Sequence, residues 1–240
     1  MSVGAGLGRG EAVAAIVDAI DAIPCSHPLR VAIDGSAAAG KTMLADELAT
    51  SLRGRGRDVI RASIEGFLRP RIERYRRGPE SARGCYEDSF DLERLQVELL
   101  RPLGESGSRL YRTEIYDRRT DLLADSEQLE ASADAILLFD GVFLLRPELV
   151  DAWDFRVFIT VASEEIVRRG RIRDAEVYGS PDDAERRFRA RYLPSQRHYR
   201  DTVRPAELAD VVLENDDPSQ PGVLVRSCKR ARERRLFPER

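Results

Sequence analysis

Lysine is nearly missing from this chain: of 39 lysine and arginine side chains, only Lys41 and Lys229 are lysine. Cysteine is scarce too. Cys25, Cys85 and Cys228 stand far apart without a Cys-x-x-Cys pair, which speaks against a disulfide framework and a zinc site and suits a reducing cytoplasm. Charge of one sign is not in excess, the net value being −3, so the overall balance does not draw the chain to nucleic acid or a membrane surface. No uncharged run approaches 18 residues, and the start lacks the charged and apolar blocks of an export signal. We therefore expect a soluble, cytoplasmic protein with a small-molecule substrate, no nucleic-acid partner and no membrane, and with a homo-oligomer left open. No internal repeat is found. The 240 residues suffice for one α/β domain spanning 1–240, with room for a lid.

Against this background one motif stands out. Residues Gly35, Ser36, Ala37, Ala38, Ala39, Gly40, Lys41 and Thr42 read G-x-x-x-x-G-K-[ST] directly after the apolar run Val31-Ala32-Ile33. In such a loop the backbone N–H groups wrap phosphates, the glycines permit the backbone geometry, and the next helix points its positive end at the same anion. Lys41 is expected on the terminal phosphates and the Thr42 hydroxyl on Mg²⁺. A chain that otherwise uses arginine keeps a lysine where a compact ammonium is needed.

The remaining pattern alternates strands and helices. Val13, Ile16, Val17, Ile20 and Ile23 predict a helix that Pro24 stops. Strands are predicted over 31–34, 58–64, 135–139, 155–161 and 210–213, and helices over 41–52, 92–100 and, as two or three pieces, 164–200. A long polar segment, 65–88, is irregular, as functional loops often are. This order implies a P-loop NTPase-type three-layer αβα fold with a predominantly parallel sheet and a helical, arginine-rich lid over roughly 164–200. Ligands then sit at the carboxyl ends of the strands.

Two carboxylates are predicted at those ends. Asp140 closes the apolar run 136–139, the pattern that places an acid beside Mg²⁺ in phosphate-loop enzymes. Glu65 closes the second strand and is the candidate general base for an acceptor hydroxyl, work worth about 10²–10⁴-fold. Arg168, Arg169, Arg171 and Arg173 form one arginine cluster that can neutralise phosphoryl charge. Arg186, Arg187, Arg189 and Arg191 form a second, read as ordinary helix-face pairs with Asp182, Asp183 and Glu185. The basic stretch 226–235 reads as a solvated helix face, with nucleic-acid contact the lesser alternative.

The phosphate loop, Glu65-Gly66-Phe67, Tyr116-Asp117 and Asp140-Gly141, in this order, resemble the uridine kinase and phosphoribulokinase-like group of small-molecule kinases over roughly 29–215. Tyr86 to Asp91, Leu137 to Leu144 and Arg191 to Gln196 strengthen the likeness. The resemblance implies ATP with Mg²⁺ as donor, lid arginines at Arg169 and Arg173, the latter catalytic with Lys41 and Glu65, and an acceptor side made by Glu65, Phe67, Arg69, Tyr86, Tyr116, Asp117 and Gln196. It also exposes departures. The group normally has Asp where this chain has Glu65, polar or aromatic residues at Gly66 and Leu68, histidine at Asp121, an acid at Cys85 and a lid arginine at Gly170. The donor half thus reads as intact and the nucleoside half as altered. A uridine- or cytidine-like nucleoside is the default acceptor; pantothenate or a sugar is the alternative, and a nucleotide-binding protein with little transfer activity is a further reading.

Overall fold

The computed structural model describes residues 8–225. Six strands form the central sheet, β1 (Leu29–Gly35), β2 (Val59–Ser63), β7 (Ile136–Gly141), β8 (Phe155–Thr160), β9 (Val211–Glu214) and β10 (Gly222–Val225). Between β2 and β7 the chain makes two small antiparallel ribbons, β3 (Leu110–Tyr111) with β6 (Leu129–Glu130) and β4 (Tyr116–Asp117) with β5 (Leu122–Leu123). The sheet runs β10-β9-β8-β1-β7-β2, parallel except for β10. The antiparallel strand β10 and both ribbons lie outside the sequence prediction. They are short, and the ribbons carry exposed Leu122 and Leu123, so neither has the apolar alternation that marks a half-buried strand.

The central strands are apolar on both sides because helices cover both sides. Val31 and Ile33 of β1 and Ile136 and Leu138 of β7 face a core shared with helix α1 (Arg9–Asp21) and helix α2 (Lys41–Gly54). Their neighbours Ala32, Leu137 and Phe139 face the opposite core, which contains Trp153 and Tyr199. The period-two division of one apolar run between two cores is what a buried parallel strand requires. Helix α1 buries the expected stripe Val13, Ile16, Val17 and Ile20, and helix α2 buries Leu44, Leu48 and Leu52.

Two predicted helices carry irregularities. The 92–100 helix starts α-helical at Leu92–Leu95 and widens into a π-turn at Gln96–Leu100. The arginine-rich region divides into Ser163–Arg173, Ala175–Tyr178, Pro181–Arg187, a π-turn at Phe188–Tyr192, and Leu193–Val203. The last helix buries Ser195, Gln196 and Tyr199, so Tyr199 on its inner face packs into the core beside the sheet while Gln196 reaches the wall of a cavity beside the phosphate loop. The basic stretch 226–235 lies outside the described residues.

Candidate active site

The phosphate loop joins β1 to α2 at the carboxyl end of the sheet. Gly40 holds φ +93°, a left-handed conformation, and a β-carbon there would stand 2.8 Å from the Asn215 amide nitrogen. Asn215, buried just after β9, donates that amide to the Ala39 carbonyl at 2.8 Å and so fastens the loop to the sheet. The Lys41 ammonium donates to the Ser36 carbonyl at 2.7 Å. Lys41 as a residue is partly exposed, yet its ammonium is enclosed by the loop, and burial lowers its pKa to about 8 against the opposing pull of Asp34 and Asp140. A phosphate in the loop would restore the full charge.

Asp140 ends β7 beside Thr42. The Thr42 hydroxyl donates to one carboxylate oxygen at 2.7 Å, and Arg61 holds the other at 3.1 Å. Hydroxyl and carboxylate oxygens are hard ligands of the kind Mg²⁺ prefers, so the donor set fits the expected metal. Nothing in the sequence pattern marks Arg61 for this place. It reaches from β2, also pairs with Asp46, and fixes the orientation of Asp140.

Asp34, immediately before Gly35, is fully buried. Burial raises its pKa to about 6, although the Tyr199 hydroxyl donates to it at 2.5 Å and the Gly35 N–H at 2.7 Å. The same Tyr199 hydroxyl accepts the Leu145 N–H at 3.0 Å. This network ties the start of the loop to the helix Leu193–Val203. A charged residue at the end of an apolar strand was its only sign in the sequence.

A groove lined by Arg9, Gly40, Thr42, Met43, Arg169 and Asn215 extends from the loop. Arg173 borders this groove and also the adjoining cavity, whose wall includes Ala37, Glu65, Arg74, Tyr75, Cys85, Arg118, Arg191, Tyr192 and Gln196. The groove beside the loop and the second cavity therefore meet at Arg173. On its other side Glu65 borders a third depression with Thr42, Tyr116, Asp117 and Asp140.

The predicted residues fall into two sets. Lys41, Thr42, Asp140, Glu65, Arg173 and Gln196 converge here; Gln196 accepts the Ser36 hydroxyl at 3.4 Å. Glu65 sits two residues beyond β2, in the 3₁₀ segment Ile64–Phe67, and pairs with Arg118 at 3.3 Å. Other assignments need correction. Phe67 is fully buried against Phe139 and serves the core, and Arg69 is spent on the Phe90 carbonyl and Glu73. Tyr86 packs on Phe143, His198 and Arg146 and lines a separate depression with Ala82 and Ser195. Tyr116 and Asp117 border the depression shared with Glu65, but Tyr116 gives its hydroxyl proton to Asp121 and Asp117 accepts the Arg119 N–H. Arg169 is no free lid arginine, because Glu165 and the carbonyls of Asn215 and Asp216 hold it.

The departures acquire physical reasons. A β-carbon at Gly66 would stand 2.8 Å from the Thr113 carbonyl, so the glycine admits the ribbon segment next to Glu65. At Gly170 a β-carbon would stand 2.2 Å from the Phe188 ring, leaving no room for an arginine. The second arginine cluster is not merely a helix face either. Arg186 and Arg189 make the expected outer pairs, but Arg191 turns inward and is buried.

A phosphate loop on a parallel sheet, an acid at the neighbouring strand end and a second cavity joined by an arginine define a P-loop fold of the kinase type. No protein-family model matches the chain, and no curated protein matches its sequence. Solved structures do. A possible uridine kinase from Bacillus stearothermophilus superposes with TM-score 0.67 at 25% identity, over 85% of this chain and 97% of that one. D-glycerate 3-kinase from Cryptococcus neoformans gives 0.61 at 15%, over 90% and 97%. Phosphoribulokinase from Rhodobacter spheroides gives 0.54 at 16%, over 79% and 70%. In fold the chain is thus similar to P-loop small-molecule kinases of the uridine kinase and phosphoribulokinase kind. Among the described residues no helix is long and apolar enough to cross a membrane.

Proposed function

We propose that the protein transfers the γ-phosphoryl group of ATP to a hydroxyl of a small molecule. The observation that carries this reading is the continuity of the two sites: Arg173 belongs to the nucleotide groove and to the cavity beside it, and Glu65 borders that cavity near the Thr42–Asp140 pair. The backbone of 35–42 and Lys41 would hold the phosphates. Mg²⁺ would be held by the Thr42 hydroxyl and, through water, by Asp140, where its charge offsets that of the phosphates.

In the transfer, Glu65 takes the proton of the acceptor hydroxyl while that oxygen bonds to the γ-phosphorus. The bond from this phosphorus to the β–γ bridging oxygen breaks, and ADP leaves carrying the bridging oxygen. Lys41 and Arg173 stabilise charge spread over the phosphoryl oxygens. Arg173 is oriented for this by Asp174, whose carboxylate accepts at 2.7 and 2.8 Å.

A second reading, a nucleotide-binding protein with little transfer, draws on the Glu65–Arg118 pair, since a base must leave its ion pair to reach a hydroxyl. A coupled ADP-release screen over nucleosides, pantothenate, sugars and hydroxy acids separates the two. Turnover stimulated by one acceptor supports transfer. Tight ATP binding without stimulation by any of them supports the second reading.

A further inference from the structure

The cavity beside the phosphate loop holds more positive charge than its own acids neutralise. Four arginines line it, Arg74, Arg118, Arg173 and Arg191, against two carboxylates, Glu65 and Asp174. Both carboxylates are already engaged, Glu65 by Arg118 and Asp174 by Arg173. Arg191 is only 2% exposed. Its donors meet neutral oxygens alone, the Ser81 carbonyl at 2.9 Å, the Ser89 hydroxyl at 3.3 Å and the Pro79 carbonyl at 3.4 Å. Arg74, 8% exposed, reaches Asp121 only at 3.8 Å and leaves its Nε without a hydrogen-bond partner.

These two guanidinium groups and that of Arg187 converge on one ring. Their central carbons lie 5.6, 5.1 and 5.1 Å from the Tyr75 centroid for Arg74, Arg187 and Arg191. Among the described residues neither Arg187 nor Arg191 has an ion pair. A guanidinium does not shed its proton at accessible pH, and a buried, unpaired one is unfavourable, the more so beside two others. The Tyr75 face relieves part of this. Cys85, on the same cavity, adds no negative charge, because burial keeps its thiol protonated.

We propose that the acceptor is itself an anion, a hydroxyl compound bearing a carboxylate or phosphate group that Arg191 and Arg74 bind while its hydroxyl faces Glu65. This rests on the phosphotransfer reading. A neutral acceptor would leave Arg191 without an ion pair and Arg74 with only its 3.8 Å contact to Asp121 and a bond to the Tyr116 hydroxyl, whereas an anion makes charge-assisted, bidentate bonds with them.

The test uses the full chain saturated with Mg²⁺ and a non-hydrolysable ATP analogue, so that the phosphate loop is filled. Matched pairs are titrated by calorimetry and assayed for ADP release with ATP: glycerol against glycerate, and ribose against ribose 5-phosphate. The anionic member of a pair should bind at least about tenfold more tightly. Arg191→Gln should remove that preference without changing affinity for the ATP analogue, and Arg191→Lys should restore part of it. The glycerate and ribose 5-phosphate arms distinguish carboxylate from phosphate. Equal binding of neutral and anionic members, or an undiminished preference in Arg191→Gln, overturns the proposal. Should the variants not fold, the parent alone decides, because added salt must weaken the anionic members and spare the neutral ones. Arg191-dependent anion binding with no ADP release from any acceptor would retain the anion site and remove the phosphotransfer reading.

Discussion

Replacing Gly170 by alanine should destabilise the protein even though the same change favours an isolated helix. Gly170 lies inside the helix Ser163–Arg173, where alanine is worth about 1 kcal/mol over glycine. Opposing this, an added β-carbon would stand 2.2, 2.4 and 2.5 Å from three ring atoms of Phe188. Phe188 is fully buried, packs with Ile166, Val167 and Ala38, and meets Tyr192 edge-on at 5.1 Å. The ring must therefore shift by more than an ångström within a filled cluster, and overpacking of this kind costs about 1–3 kcal/mol. The contact distance puts the strain at the upper end, leaving a net loss of about 2 kcal/mol. For a domain of this size that is a fall in Tm of about 4–8 °C. Urea unfolding followed by circular dichroism measures it. Phe188→Leu in the same chain should relieve the clash, giving a coupling of about 1 kcal/mol or more between the two changes. Gly170→Ala as stable as the parent, or more so, would refute the reasoning. Gly170→Arg should be worse than alanine, because the side chain cannot reach the cavity through Phe188.

Lys41→Ala should abolish transfer while leaving the unfolding midpoint within a few degrees of the parent; retention of more than about a tenth of turnover contradicts its role on the phosphates. Because the Lys41 pKa is lowered to about 8 without ligand, nucleotide binding should take up a proton. ATP affinity, measured by calorimetry in buffers of different ionisation heat, should be constant below pH 8 and weaken as pH rises above it, by at most about tenfold per unit. Asp34 has a pKa raised from 3.8 to about 6, so the folded state holds its proton more tightly. Its contribution is fully present below pH 3.8 and is lost as pH rises through 6, about 3 kcal/mol in all. Asp34→Asn should flatten the stability profile across pH 4–6, and an unchanged slope rejects the assignment. Glu65→Gln should lower kcat about 10²–10⁴-fold with ATP affinity intact; parental turnover would reduce Glu65 to a turn residue and send the search for a base to Asp117 or Asp121. Asp140→Asn should weaken the dependence of ATP affinity on Mg²⁺, read by titration with and without chelator.

The amino-acid sequence by itself determined the phosphate loop, the strands that flank it and the acid at the end of β7. Each is a local matter: Gly40 must hold a left-handed backbone where it stands, Lys41 and Thr42 follow it on the first turn of α2, and a fully apolar run such as 136–139 is a parallel strand buried on both faces. The second cavity was legible only in part. Glu65, Arg173 and Gln196 line it, but Phe67, Arg69 and Tyr86 go to the core, to a bracing role and to another depression, since a shared motif does not say which way each side chain points. Arg74 and Tyr75 stand more than 100 residues from Arg191 in the chain and meet it only when the π-turn at Phe188–Tyr192 packs against the segment 65–88, expected to be irregular but folded in part as the short helices Arg71–Arg74 and Ala82–Glu87. Arg191 and Arg189 have the same chemistry and nearly the same neighbours in sequence, yet one is buried and the other pairs with Glu164 and Glu185 at the surface. Solvation decides between them, and solvation is set by what packs on a residue from elsewhere in the chain.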